Sequence, residues 1–472
     1  MMEQQIASAL AYAHRNRERF LEELSEFLRI PSVSTEAEHR KDVQRAAEWL
    51  ARQLESLGTS QVRIFPTPGA PLVVGASIPP KGAAHTVLVY GHYDVQPTDP
   101  IEEWKSDPFS PDRRGEELYA RGASDMKGQI LAVLKAVESI SAAGGLPLQV
   151  KYLFEGEEEV GSPNLPEFIR SHRELLAADL CLNPDAGMLS PELPTITYAL
   201  RGLAYFELRV HGPSRDLHSG GFGGVVHNPA QALCELIAAM HDDQGRVALP
   251  GFYDSVRPLE EEERAELARL PVDEASLLGL TGAPQLWGEA GYTPAERIGA
   301  RPTLEVNGLY SGFIAEGQKT VLPARATAKI SARLVPEQKA EEVARQMERF
   351  LEEHAPPTVR WELRLLSGSP AVISRRDSPG SRALGEAMEA VWGRRPLFRR
   401  EGGSIPVGTY LQETLGMESL LTGFALPDDR SHSPNEKLHL PTWSKGVDAL
   451  VRFFFYLAGS SAPGPRMKRT NT

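Results

Sequence analysis

The sequence predicts an α/β fold, with a mixed, largely parallel sheet flanked by helices and a smaller α+β domain inserted into it. Three observations carry this. TVLVY (86–90) and LQVKYLF (148–154) enclose Met126, Ile130, Val133, Leu134, Val137 and Ile140 at helical spacing, and strand, helix, strand in that order favours parallel pairing. From about Thr197 alternating strands replace this texture. Near residue 375 the α/β texture resumes.

Taken in chain order, Val43, Ala46, Ala47, Leu50, Leu54 and Leu57 form an apolar helical stripe that stops at Gly58, a residue suited to a helix C-terminus. The strand, helix and strand just described follow. TITYAL and AYFELRV then read as strands, 230–240 as a helix, and 252–300 as a long polar stretch. ATAKISARL alternates as a half-buried strand does, Ala340, Val343, Ala344, Met347, Phe350 and Leu351 mark a helix, and TVRWELRLL a further strand. Leu384, Ala387, Met388 and Val391 mark another helix, and an amphipathic helix follows Pro441. The expected boundaries are 1–197 and 373–472 for the interrupted domain and 198–372 for the insertion. The basic end RMKRTNT reads as a solvated tail.

Composition narrows the function classes. At 472 residues, two generous domains are expected. Fifty-one Lys and Arg against 63 Asp and Glu leave a net charge of −12, which disfavours nucleic acid and anionic membrane as partners. The amino terminus lacks the basic start and apolar run of an export signal, and the apolar stretch 449–458 is interrupted by Arg452 and too short to span a bilayer. Two cysteines, Cys181 and Cys234, make no disulfide framework. A cytoplasmic protein is expected.

The chemistry gathers in turns after apolar strands, where open α/β sheets place ligands. His92 and Asp94 stand in YGHYDVQP, and a carboxylate behind an imidazole orients it for a metal; a structural turn is the plainer alternative. Asp125 in RGASDMKGQ stands at the mouth of the predicted helix, where it or Ser124 is equally suited to an N-cap. Glu155, Glu157, Glu158 and Glu159 crowd the end of the next strand, and such mutual repulsion is relieved either by solvation or by a divalent cation. Asp185 in LNPDAG and His432 in SHSPNEKL complete a set of two imidazoles and several carboxylates without thiolate, which suits Zn²⁺ and admits Mn²⁺ or Co²⁺.

YGHYDVQP, LYARGASDMKGQ, EGEEEVGS, DLHSGGFGG, REGGSIPV and SHSPNEKL, in this order, resemble the di-zinc metallopeptidase family of dipeptidases, aminoacylases and glutamate carboxypeptidases. DLHSG, KTVLP, RLVP and GGSIPV are most similar to its branch of cytosolic non-specific and carnosine dipeptidases. The resemblance implies that His92, Asp125 and Asp185 hold one metal ion and Asp125, Glu159 and His432 a second, with Asp125 bridging. It implies Glu158 as general base, Asp94 as the partner that orients His92, and a cis peptide between Asp125 and Met126. Arg333 is implied as a clamp for the substrate's carboxylate, with Thr320 and Ser404 as further contacts. His218 is implied to reach the active site of the partner in a homodimer and stabilise the oxyanion. Asn307 and His227 are weaker candidates. The inserted domain would be a lid and dimerisation domain. Met126 departs from dipeptidases that carry a second acid after the bridging Asp, which weakens a branch assignment made on that motif alone. The expected activity is two-metal hydrolysis of the amide bond in dipeptides or short peptides with a free carboxylate. Alternatives are an N-acyl amino acid amidohydrolase and a noncatalytic ligand-binding protein of the same fold.

Overall fold

The computed structural model describes residues 2–460, which form two compact units. The first comprises 2–198, 374–398 and 407–460, and the second 199–373 and 399–406. The basic tail lies outside the described residues.

In the first unit the sheet runs in the order Ser60–Phe65, Leu72–Ala76, Gln149–Glu155, Thr86–His92, Leu180–Asn183, Glu418–Leu421, Thr195–Leu200. Its four middle strands are parallel, with Val87 opposite both Val150 and Leu180, and Leu421 opposite Asn183; the flanking strands are antiparallel. All four middle strands therefore end on one edge. Helix Lys127–Ala142 is buried almost all round, as expected of a segment enclosed by protein, and helix Leu440–Gly459 packs on it and on Pro379–Trp392. The apolar stretch 449–458 is thus core, and no helix among the described residues is long and apolar enough to cross a membrane. Helix Arg40–Ser56 ends just before Gly58, which takes φ +71° where a side chain would be strained.

The second unit is built on a four-stranded antiparallel sheet, in the order Thr303–Ser311, Arg325–Leu334, Gly202–His211, Arg360–Ser369. Ala204, Phe206, Leu208 and Val210 alternate onto the face covered by helices Pro229–Ala239 and Ala340–His354, where Ala326, Ala328 and Ala332 admit them closely. The polar stretch 252–300 is not structureless. It carries helices Glu261–Leu267, Glu274–Thr281 and Pro294–Gly299, the last two started by reciprocal capping at Asp273/Ser276 and Thr293/Glu296.

The expected continuation of the first domain, 373–472, is interrupted: 399–406 clusters with the second unit. Its contacts supply the reason. The Arg400 guanidinium pairs with Glu263, the Arg201 amide donates to the Glu401 carbonyl, and Ser404 bonds both Arg201 and Arg333.

Candidate active site

The parallel strands of the first unit deliver His92, Glu155 and Asn183 to their common carboxyl edge, and the loops beyond add Asp125, Glu158, Glu159, Asp185 and His432. His92 Nε2 lies 3.1 Å from Asp125 Oδ1 and 3.8 Å from Asp185 Oδ1. His432 Nε2 lies 2.9 Å from Asp125 Oδ2 and 3.3 Å from Glu159 Oε2. Each oxygen of Asp125 thus faces a different imidazole. His92, Asp125 and Asp185 bring one donor atom each within 4.8 Å of one another, and so do Asp125, Glu159 and His432.

The electrostatics are those of crowded anions sharing two bases. Burial opposes ionisation of Asp125, but hydrogen bonds from His432 and His92 outweigh it and hold that carboxyl far below its ordinary range. Hydrogen bonds to Asp125 and Glu159 push His432 up to about 10. Desolvation drives Glu158 up to about 9, opposed by His92 and reinforced by the charges of Asp185, Glu159 and Glu155. Three carboxylates and two imidazoles arranged as two triads around a shared Asp form a donor set that fits a pair of divalent cations, and the absence of thiolate favours borderline or hard ions. Cys181 is buried within strand Leu180–Asn183, and Cys234 lies exposed in the second unit.

Supporting contacts set the positions of these groups. His92 Nδ1 is 3.1 Å from the Asp94 carbonyl and 3.5 Å from its Oδ1, so the main chain of Asp94 is the nearer partner. The Asp94 carboxylate, fully buried, accepts the amides of Glu158 and Glu159 at 3.2 and 3.1 Å. Gln96 donates to Glu159 Oε2 at 2.7 Å. The four clustered glutamates separate by role. Glu155 accepts from Tyr90 and Ser162, Glu157 accepts from Asn164, Glu159 faces His432, and Glu158 alone among them has a side chain without a hydrogen bond among the described residues.

The Asp125–Met126 peptide is cis, as the resemblance implies. The N-cap alternative for Ser124 or Asp125 does not hold: the residue at the helix start is Met126, without a side-chain cap, and Ser124 donates instead to Asp429 at 2.7 Å. His432 takes φ +62°, a left-handed conformation that non-glycine residues rarely adopt.

Sequence reasoning missed Glu436. Fully buried, it accepts the amides of Gly122, Ser124 and Asp125 and the Arg121 guanidinium at 2.8–3.0 Å, and so holds the turn that presents Asp125. Its only signal was its place four residues after His432 in SHSPNEKL.

The remaining candidates lie in the second unit. Arg333 Nη1 donates to Ser404 Oγ at 3.0 Å, and Ser404 donates to the Arg201 carbonyl at 2.5 Å. His218 is exposed, accepts from the Gly220 amide, and pairs with Val321 in a short ribbon beside Thr320, whose carbonyl receives the Ser219 amide. His227 meets Thr358 Oγ1 at 2.7 Å, and Asn307 is exposed at a bulge in strand Thr303–Ser311.

Residues 88–455 match the model of peptidase family M20/M25/M40. The Cys-Gly metallodipeptidase DUG1 of Candida albicans is 31% identical over 93% of this chain and 94% of its own. The Beta-Ala-His dipeptidase of Homo sapiens is 30% identical over 95% of this chain and 92% of its own. Among solved structures, the M20 family metallo-carboxypeptidase Sso-CP2 from Sulfolobus solfataricus superposes with a TM-score of 0.82 at 32% identity, over 93% of this chain and 99% of that one.

Proposed function

The chain belongs to peptidase family M20/M25/M40 and is a metallopeptidase, and from that premise we propose that it hydrolyses the amide bond of dipeptides or short peptides that carry a free carboxylate. The observation that carries the reading is the pair of triads sharing Asp125, with Glu158 beside them, whose carboxyl two bound cations would return to its ionised form.

In this proposal His92, Asp125 and Asp185 hold one divalent ion and Asp125, Glu159 and His432 the other, with Zn²⁺ the expected metal. Such a pair supplies Lewis-acid polarisation of the scissile carbonyl and acidifies the attacking water. Glu158 takes the proton of that water and returns it to the leaving amine. Asp94 holds the Glu158 and Glu159 amides, so that two adjacent side chains project to different tasks. Arg333 grips the substrate carboxylate with its guanidinium fork, steadied by Ser404, and Thr320 adds a contact.

His218 donates to the developing oxyanion in the partner subunit of a homodimer. The dimer reading is supported by apolar side chains exposed on the edge strand Thr303–Ser311, namely Val306, Leu309 and Tyr310, since an unpaired edge of this kind invites pairing. The two unpaired cysteines support a reducing, cytoplasmic location.

The test is to reconstitute the protein with Zn²⁺, Mn²⁺ or Co²⁺, measure bound metal, and assay dipeptides, their carboxyl-amidated forms and N-acyl amino acids. Two ions per chain and turnover confined to dipeptides with a free carboxylate are expected. Preference for N-acyl amino acids would move the assignment to the amidohydrolase alternative, and metal binding without turnover of either class would favour the noncatalytic one.

A further inference from the structure

Three loops of the first unit supply or brace the two triads, and one buried ion pair touches all three. Loop 94–97 holds the Glu158 and Glu159 amides through Asp94 and the Glu159 carboxylate through Gln96. Turn 121–125 presents Asp125. Loop 429–437 carries His432 and is closed at its neck, where the Lys437 amide donates to the Asp429 carbonyl at 3.0 Å. The ion pair is Arg121 with Glu436, both buried. Glu436 Oε1 accepts the amides of Ser124 and Asp125, and Oε2 accepts the Gly122 amide and Arg121 Nη1, all at 2.8–3.0 Å. Arg121 Nη2 donates to the Pro97 carbonyl at 2.9 Å. The guanidinium thus fastens loop 94–97, and the carboxylate loop 429–437, to the same turn.

Four donors fill the lone-pair directions of one ionised carboxylate, and the three main-chain amides among them form an anion-binding nest. A carboxamide in its place would set an NH₂ group against two of those donors. Gly122 takes φ +83° and brings the turn so near loop 94–97 that a Cβ on it would lie 2.7 Å from Val95 Cγ1. For stability alone such a pair is an indifferent choice, because well-packed apolar side chains of similar volume commonly serve a fold as well or better. What the pair supplies is relative position, and His432 depends on it. That side chain is 54% exposed, on a loop in which Arg430, His432 and Asn435 take φ of +59°, +62° and +63°. Non-glycine residues keep that conformation where the surrounding structure enforces it. Asp429 and Asn435 add fastenings: Asp429 accepts from Ser124 Oγ at 2.7 Å, and Asn435 accepts the Lys105 amide at 2.9 Å and donates to the Glu103 carbonyl at 2.8 Å.

We infer that Arg121 and Glu436 are positioning residues that hold the three loops in register before any metal is bound, and thereby set the affinity with which the triads take up their ions. The inference rests on the metal-binding part of the proposed function and is independent of which peptide is cleaved.

The experiment titrates metal-free protein with Co²⁺, recording heat and visible absorption, for the wild type, Arg121→Lys, Glu436→Gln and the double variant Arg121→Met/Glu436→Gln, which removes both charges of the pair together. The melting temperature of each metal-free protein is measured alongside. The variants should bind Co²⁺ ~10-fold to ~100-fold more weakly, the scale for loss of a partner behind metal ligands. The absorption bands of the bound Co²⁺ should shift, because the ligand directions have changed. Arg121→Lys should weaken binding as well, since an ammonium keeps the charge without the fork that reaches both Glu436 and Pro97. A role confined to the fold would lower the melting temperature and leave affinity and bands as in the wild type, and that result would overturn the inference. A second measurement needs no variant and so decides the matter even if none of them folds. In the wild type, residue-resolved hydrogen exchange at the amides of Gly122, Ser124 and Asp125 should be equally slow with and without Zn²⁺. Protection gained only on adding Zn²⁺ would show that the ion organises the turn, and would also overturn the inference. A wild type that takes up neither Co²⁺ nor Zn²⁺ would refute the metal pair and the inference with it, whereas two ions in the wild type and unchanged affinity in the variants would overturn the inference alone.

Discussion

The carboxylate of Asp94 accepts the backbone amide of Glu159 at 3.1 Å through Oδ2, while its Oδ1 accepts that of Glu158 at 3.2 Å. One buried anion therefore sets the turn that points two consecutive glutamates in different directions, and its own main-chain carbonyl lies beside His92 Nδ1. Asp94→Asn places an NH₂ group where two N–H donors already converge. Turnover should fall and metal affinity weaken by ~10-fold to ~100-fold, the scale seen when partners behind metal ligands are removed. Metal titration and kcat on the same preparation check this, and unchanged values for both would show that the turn holds itself.

Glu158 and Glu159 should separate experimentally. Glu158→Gln should keep its metal content and lose ~10²-fold to ~10⁴-fold in turnover, the range for loss of a general base. Glu159→Gln should lose metal. Elemental analysis showing the reverse pattern would exchange the two roles.

Arg333→Lys should recover little of the activity lost in Arg333→Ala, because a point charge does not reproduce the guanidinium fork. If the carboxylate pair is desolvated, its removal costs roughly 2 to 5 kcal/mol. The sharper measurement is a dipeptide against its carboxyl amide. Equal kcat/KM for the two would exclude the clamp.

Glu155 links stability to pH. Desolvation raises its carboxyl from 4.5 to about 8, against the lowering effect of the Tyr90 and Ser162 donors. The folded state therefore keeps this proton between about pH 4.5 and 8 while the unfolded chain releases it, so this group's contribution to stability falls as pH rises through that window. Glu155→Gln retains an acceptor for Tyr90 and removes the titration. Urea midpoints should fall less between pH 5 and pH 8 in the variant than in the wild type; parallel falls would show that Glu155 does not titrate there.

His218→Ala should bind metal normally and turn over ~10²-fold to ~10³-fold more slowly, as when one oxyanion donor is lost. Mixing it with Glu158→Gln subunits should regenerate one intact site per heterodimer. Verified heterodimers as inactive as both parents would place the action of His218 within its own chain or nowhere in catalysis.

Much of the architecture was legible because periodicity records burial. The stripe from Val43 to Leu54 reflects a repeated exposure pattern that packing then uses, whereas helix Lys127–Ala142 is buried almost all round and ATAKISARL leaves only Lys329 and Arg333 partly exposed. The segment 399–406 carried no such signal, since its assignment depends on Arg400 meeting Glu263 and Ser404 meeting Arg333, partners remote in sequence. Likewise, the short helices within 252–300 are about two turns long or less, too short to show a period, and only Glu274–Thr281 and Pro294–Gly299 carry side-chain caps.

By itself the sequence determined the inventory of the site: which imidazoles and carboxylates follow which strands, and the motif order that resembles a metallopeptidase. Residue type and local spacing are sufficient for that. Only the tertiary structure decided which groups share a partner. Strand Thr86–His92 and the loop beyond Glu418–Leu421 bring His92 and His432 to opposite oxygens of Asp125, and packing withdraws Glu155 and Glu157 into other bonds while leaving Glu158 without one among the described residues. The same holds for two arginines of the second unit. Arg301 and Arg297 are four residues apart and chemically identical, and only the position of Glu289 makes one an internal ion pair and leaves the other a cation facing a cavity. Charge is a property of the side chain, whereas its neutralisation is a property of the distance to another side chain, which the fold alone sets.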